Sequence, residues 1–316
     1  MQIFEQKFAQ FLGRDVVCVN SGTSALHLTL LAISKRKKRK ILIPTFTCSA
    51  LLNASFYVGL QPVICDVNLY DFSLDIEDVK RKIAHDVNCL ILVHPFGIPV
   101  DVKPFLELDV PVVEDCAHTL GAYIKNKMVG TLTQVSIFSF YATKFLTTSQ
   151  GGAISSSDKK ILNQVRDLRE YDKKNNYKIR FNYKMSDLDA CIGLAQLEKL
   201  EEFIKKRKNL ASLYTQEFEK IKNIEIPRVY YERDCLYYRY IIFLKKGKVS
   251  SFIKIMHERG IRVERPVFKP LHRYFKLKGF NSAEKIYNKS VSIPIYPALT
   301  LKDAKYIITQ IKKVLS

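Results

Sequence analysis

The sequence predicts an α/β protein: a mainly parallel central sheet flanked by helices, followed by a smaller C-terminal α+β domain. The first half alternates short β-branched runs with helical patterns, the rhythm of βαβ units. Beyond about residue 185 a long helical period gives way to a mixed order of strands and helices. The chain has 316 residues and no Pro- or Ser-rich linker, enough to bury a large core in closely packed units. We expect a large domain over residues 1–200 and a small one over 201–316.

The strands read in order as Val16 to Val19, Ile41 to Ile43, Val63 to Asp66, Cys89 to Val93 and Val110 to Glu114. Helical stretches separate them: Ser24 to Ala32, Thr47 to Tyr57, Ile76 to Ile83 and Val102 to Glu107. Ala122 to Val129 reads as a hairpin around Lys125-Asn126-Lys127, and the runs Val135 to Phe140 and Gly152 to Ser155 read as further strands. Met185 to about Lys220 carries a helical period through Leu188, Ile192, Leu197, Leu200 and Phe203, which predicts one long connecting helix. Tyr237 to Leu244 and Ile261 to Glu264 then read as strands, and Ser250 to Arg259 and Leu301 to Val314 as helices.

Composition excludes several classes. A hydrophobic fraction of 47% with 26% charged residues is that of a folded globular chain, not a disordered one. No apolar run approaches the roughly 20 residues a membrane span needs, and Met1 to Glu5 lacks the basic and apolar regions of a signal peptide. A cytoplasmic protein is expected. Seven scattered cysteines without Cys-x-x-Cys spacing suggest neither a disulfide framework nor a metal site. The net charge of +20 attracts anions and permits peripheral attraction to anionic surfaces, but no reading motif accompanies it, so nucleic acid is not the expected partner. Its densest run, Lys35 to Lys40, lies between a helix pattern and a strand pattern and reads as a solvated loop.

Three segments carry candidate chemistry. Asn20-Ser21-Gly22-Thr23-Ser24 follows a strand and opens a helix, offering hydroxyls and N–H groups to a phosphate. Val112 to His118 ends an apolar strand in Glu114 and Asp115, a pair that suits a metal, a strand-end cap or a ligand beyond the sheet's C-terminal edge. Phe138 to Lys144 places one lysine after a largely apolar strand, where an amine can condense with an aldehyde, or simply reach out to solvent.

Together with Ile43-Pro44-Thr45-Phe46, Val93 to Gly97, Phe138 to Gly152, Asn182 to Ser186 and Ser292 to Thr300, these segments resemble the DegT/DnrJ/EryC1/StrS family of pyridoxal-5'-phosphate (PLP) sugar aminotransferases, fold-type I PLP enzymes. The resemblance runs from about residue 4 to the C-terminus. It implies that Lys144 carries PLP and shuttles the proton, that Asp115 holds the pyridine nitrogen, and that His118 faces the ring or its hydroxyl. It further implies that Gly22, Thr23, Ser24 and Ser139 grip the phosphate and that Phe46 stacks on the ring. Asn182 would reach the phosphate in a neighbouring subunit, making a homodimer with shared sites. His272, Lys269 and Tyr296 would lie on the substrate side. The reaction implied is transfer of an amino group from L-glutamate to a nucleotide-linked keto-sugar, in bacterial surface-glycan or amino-sugar synthesis.

Two alternatives share that fold. A PLP-dependent sugar dehydratase typically carries histidine where Lys144 stands, and a silent paralogue would bind a sugar nucleotide while keeping the cofactor residues by descent. Ser149-Gln150 and Val267-Phe268 depart from the family's usual Gly-Glu and His-Tyr.

Overall fold

The computed structural model describes residues 1–35 and 37–315. Seven strands form one sheet: β1 (Val16–Val19), β2 (Lys40–Pro44), β3 (Gln61–Cys65), β4 (Val87–Val93), β5 (Val112–Asp115), β8 (Val135–Ser139) and β9 (Gly152–Ser156). Their order is β1-β9-β8-β5-β4-β2-β3, and β9 alone runs against its neighbours β1 and β8. Between β5 and β8 lies the predicted hairpin, β6 (Tyr123–Ile124) and β7 (Lys127–Met128). Strands β1, β4 and β5 are buried along their length and largely apolar, β5 ending in Glu114 and Asp115, as a sheet covered by helices on both faces requires.

The sheet's helices are α1 (Gln2–Leu12), α2 (Gly22–Ile33), α3 (Ala50–Tyr57), α4 (Ile76–Lys82), α5 (Lys103–Leu106) and α6 (Lys159–Leu168). Local chemistry sets their ends: the Ser21 hydroxyl accepts from Ser24 N–H at the start of α2, Asp158 caps α6, and Gly13 ends α1 at φ 71°. Helix α6 was not foreseen; its Lys159-Lys160 start masks an apolar face of Ile161, Leu162, Val165 and Leu168. In the basic run, Lys35 and 37–39 are loop and Lys40 begins β2, while Arg36 lies outside the described residues.

The predicted long helix is two helices. α7 (Asp187–Glu198) and α8 (Leu200–Phe218) meet at Lys199, which caps both. Each obeys a different partner: Gly193 of α7 lies against Phe4 of α1, whereas α8 packs on the last helix. Lys199 keeps a right-handed helical backbone at the break, so the apolar period runs on through it and periodicity alone does not show it.

After α8 come β10 (Ile224–Glu225), α9 (Val229–Glu232), β11 (Tyr240–Leu244), α10 (Val249–Glu258), α11 (Asn281–Lys289), β12 (Ser290–Ile293) and α12 (Leu301–Leu315). The three strands form an antiparallel sheet in the order β10-β11-β12. The expected strand at Ile261 to Glu264 does not form: Val263 N–H turns back to the Ile261 carbonyl, and only Glu264 bridges, to Ser292. One buried apolar cluster runs from Val17 to Ile311, so the second sheet shares its core with the first.

Candidate active site

Because β9 reverses the chain, β1 and β8 run parallel to β5, β4 and β2, and the ends of all five open on one edge of the sheet. That edge gathers the three candidate segments. The approach between α2 and β8 is so close that a Cβ on Gly22 would sit 2.8 Å from Cβ of Ser139. The first turn of α2, with Thr23 next to Gly22, is therefore brought against Ser139 at the sheet edge, where its N–H groups have no partner within the helix. Ser24 is buried and turned inward, its hydroxyl donating to Asn20 Oδ1 at 2.7 Å. Ser24 thus serves the turn through its side chain, and can serve a ligand only through its backbone.

Glu114 and Asp115, adjacent on β5, face opposite sides, as strand residues must. Glu114 accepts from Gly130, Leu132 and Thr133 N–H groups and pairs with His94 Nε2 at 3.1 Å, all buried. Burial pushes its carboxyl up, but the His94 hydrogen bond and those N–H donors outweigh it and hold the group below the ordinary carboxylate range. His94, Glu114 and Cys116 place ligand atoms within 4.8 Å of one another. Since His94 Nδ1 already takes Val100 N–H and Glu114 is saturated, this cluster is a structural knot. Glu114→Ala strands three N–H groups and a buried imidazole, and should lower unfolding free energy by about 3–5 kcal/mol in a urea titration.

Asp115 lies on the opposite face and is also buried. Its Oδ1 accepts Ala117 N–H at 3.0 Å, and burial raises its carboxyl pKa against the opposing pull of that N–H and of Lys144. No cation is within ion-pair distance of Asp115 among the described residues. Three residues on, His118 stacks on Tyr238 with centroids 4.0 Å apart and planes at 14°. Burial first, then the charges of Lys144 and Arg239, push the His118 pKa well below its ordinary value, so the imidazole is neutral at pH 7.

Lys144 is placed by packing behind it. Phe4 and Phe8 of α1 meet Phe138 and Phe140 edge-on at 5.2–5.6 Å, fixing the strand end from which the Lys144 loop departs. Its Nζ stands 4.9 Å from the Tyr238 ring centroid, and the Tyr238 hydroxyl bonds Thr143 Oγ1 at 3.0 Å. Lys144, Tyr238, Arg239 and Tyr296 line a cavity of about 1140 Å³ between the two sheets. In the same loop, Ser149 holds φ 70°, a left-handed conformation that suits the glycine usual there.

Other expected residues are placed differently. Phe46 is 2% exposed and meets Phe96 edge-on within the core, so its ring has no free face on which a ligand could stack. Two residues on, Cys48 is exposed, and both Asp115 and Lys144 act on its thiol. His272 is 3% exposed; its Nδ1 bonds Thr45 Oγ1 at 2.7 Å, its Nε2 bonds Glu284 at 2.8 Å, and its ring stacks on Phe280. Both nitrogens are occupied, so His272 ties a loop to β2 and is not a substrate contact. Lys269 is half-buried with its amine over the Tyr274 ring, away from the cavity-lining residues. Asn182 is exposed, and its carbonyl accepts from Asn20 Nδ2 at 3.3 Å. Sequence reasoning missed Cys48, Tyr238 and Arg239; Tyr238 and Arg239 read as the start of an ordinary strand.

The model of the DegT/DnrJ/EryC1/StrS aminotransferase family matches residues 1–312. A GDP-perosamine synthase of Escherichia coli O157:H7 is 30% identical over 334 residues, covering 100% of this chain and 90% of that protein. Among solved structures, DesV of S. venezuelae, captured with a ketimine intermediate, superposes with a TM-score of 0.92 at 25% identity, covering 100% of this chain and 89% of that one. PseC of Helicobacter pylori, an aminotransferase of pseudoaminic acid biosynthesis, gives 0.91 at 24% identity, covering 99% and 90%.

Proposed function

Because this chain belongs to the DegT/DnrJ/EryC1/StrS aminotransferase family, we propose that it uses PLP to move an amino group from L-glutamate to the keto carbon of a nucleotide-linked sugar, supplying glycan assembly. The observation that carries this reading is a buried Asp115 carboxyl, without an ion-pair partner among the described residues, that feels the charge of the cavity-lining Lys144. A lysine at position 144 also weighs against the dehydratase alternative.

The residues present fit the cofactor. Among the described residues Asp115 has no ion-pair partner, which suits it to a protonated ring nitrogen. Gly22 admits no Cβ beside Ser139, so the first turn of α2 comes close to the strand end and presents its N–H groups to a dianion. When bound, PLP supplies the aldehyde that takes up the amino group and the ring that draws electrons from the reacting carbon.

The chain's own groups do the rest. Asp115 would hold the ring nitrogen in its protonated form, since a buried carboxylate with a cationic partner is far more stable than one without. Lys144 Nζ, freed when the donor amine replaces it, would take the proton from the donor's α-carbon and deliver it to the carbon on the far side of the amino nitrogen, two atoms away. Neutral His118 acts as a hydrogen-bonding wall and adds no charge to compete with Asp115. Tyr238 closes the face beside Lys144 and excludes water from the proton's path. Tyr296, half exposed at the cavity mouth, is placed to meet the sugar.

We also propose a homodimer in which Asn182 completes the partner's phosphate site. The support is apolar surface that a monomer leaves in water: Ile3, Leu188 and Ile192 on α1 and α7, with Tyr177 and Ile179 beside Asn182. To test the reaction, the purified protein is given PLP, glutamate and a panel of GDP- and UDP-linked keto-sugars, and products are read by mass. An amino sugar should accumulate with stoichiometric 2-oxoglutarate; 2-oxoglutarate formed with none of the sugars would defeat the sugar assignment.

A further inference from the structure

Three arginines line the large cavity, and two of them are committed. Arg207 donates from Nη1 to the carbonyls of Tyr237, Tyr238 and Ile295 at 3.2, 3.4 and 2.7 Å. Arg262 pairs with Glu264 at 2.7 Å. Arg239 differs from both. Among the described residues its guanidinium has no carboxylate partner, and its side chain makes one long hydrogen bond, from Nη1 to Ser292 Oγ at 3.4 Å.

The position of Arg239 is nonetheless well defined. It stands just before β11, its N–H donating to the Phe96 carbonyl of the first sheet's edge at 3.2 Å and its carbonyl accepting the Tyr230 hydroxyl at 3.4 Å. Its guanidinium lies 6.0 Å from the centroid of the same Tyr238 ring over which the Lys144 amine stands at 4.9 Å. Its charge and that of Lys144 both reach His118. The cavity thus holds two cations around one ring, and the nearby Asp115 carboxylate is reserved, in the proposed reaction, for the ring nitrogen.

A half-buried guanidinium with its fork unfilled is a receptor for a planar, bidentate anion. The anion must belong to a small molecule at the reacting centre, because Arg239 and Lys144 flank one tyrosine. A carboxylate on the reacting carbon meets that condition. The diphosphate of a nucleotide sugar stands at least a sugar ring away from the keto carbon. We propose that Arg239 receives the α-carboxylate of the amino donor, so that one half of the reaction depends on it and the other does not. This rests on the aminotransferase reading.

The test separates the two half-reactions in the PLP-loaded protein, by rapid mixing with glutamate and, for the aminated form, with the keto-sugar. A third measurement is calorimetric binding of 2-oxoglutarate, which is free of turnover. Arg239→Leu should lower the glutamate half-reaction and 2-oxoglutarate affinity on the order of 100-fold while the sugar half-reaction stays near wild type. Arg239→Lys, which keeps the charge without the fork and guards against a misfolded leucine variant, should recover part of both losses. An unchanged glutamate half-reaction overturns the proposal. So does an equal fall in both half-reactions, which would mark Arg239 as a prop for Tyr238, or a fall in the sugar step alone, which would assign the fork to the diphosphate. If the wild type performs neither half-reaction, the aminotransferase reading fails first and takes this proposal with it.

Discussion

Lys144→Ala is expected to leave a folded protein that no longer transaminates, with turnover reduced by at least ~10⁴-fold. The size of the effect follows from two roles resting on one amine: covalent anchoring of the cofactor, and the proton transfer, for which His118 is a poor substitute because burial and nearby cations weaken it as a base and its ring is stacked on Tyr238. The fold should survive. Lys144 is only half-buried, its backbone N–H bonds Tyr141 at 2.8 Å whatever the side chain, and the amine's lost contact with Tyr238 is worth about 1 kcal/mol or less. Borohydride treatment followed by intact-mass measurement should find cofactor fixed to the wild type and none on the variant. Retained glutamate-dependent turnover would remove Lys144 from the mechanism. Mixing this chain with an Asn182→Ala chain also tests the shared site, because hybrid dimers should regain part of the activity. No recovery despite subunit exchange counts against Asn182 crossing the interface.

Asp115→Asn should separate stability from function. The amide keeps the oxygen that accepts Ala117 N–H but cannot hold a ring nitrogen protonated, so activity should drop by about 10²–10⁴-fold. Stability of the cofactor-free protein should move the other way. Burial raises the Asp115 carboxyl pKa, so the native state binds this proton more tightly than the unfolded chain does. Its contribution is therefore full below the unfolded pKa of about 3.9 and is lost as pH rises through the higher native value. Near neutrality the wild type carries the cost of a buried, unpaired charge. The asparagine chain should then be more stable by about 1 kcal/mol, a gap that closes in acid. Thermal melts of both cofactor-free proteins at pH 7 and pH 4 decide it. A less stable variant at pH 7 would mean that Asp115 already has a cationic partner in the native chain.

Much of this site was legible before any coordinates, for a physical reason. Strand ends and helix starts are local events: Ser21 caps α2 from three residues away, and the apolar runs of β1, β5 and β8 declare their own burial. Residues just past such ends lie on the sheet's C-terminal edge, which marks Asp115 as a ligand candidate, while the family resemblance implies that Gly22, Thr23, Ser139 and Lys144 join it. Where the outcome hung on side-chain facing, reading failed. Phe46 turns into the core and Cys48 outward, although both follow the same strand. His272 appears in a segment resembling a substrate loop, yet Thr45 and Glu284, distant in sequence, claim both of its nitrogens.

The sequence by itself determined the class of fold and the order of the strand-end segments that carry Asp115 and Lys144, because each is written in short-range pattern and in residue type; the joint role of those two residues is what the family resemblance implies. Only the tertiary structure decided that β9 reverses direction, that the connecting helix breaks at Lys199, and that Tyr238 and Arg239 enter the cavity from the second sheet. Those outcomes depend on which surfaces meet across more than a hundred residues of chain, where packing and charge act between partners that no local pattern names.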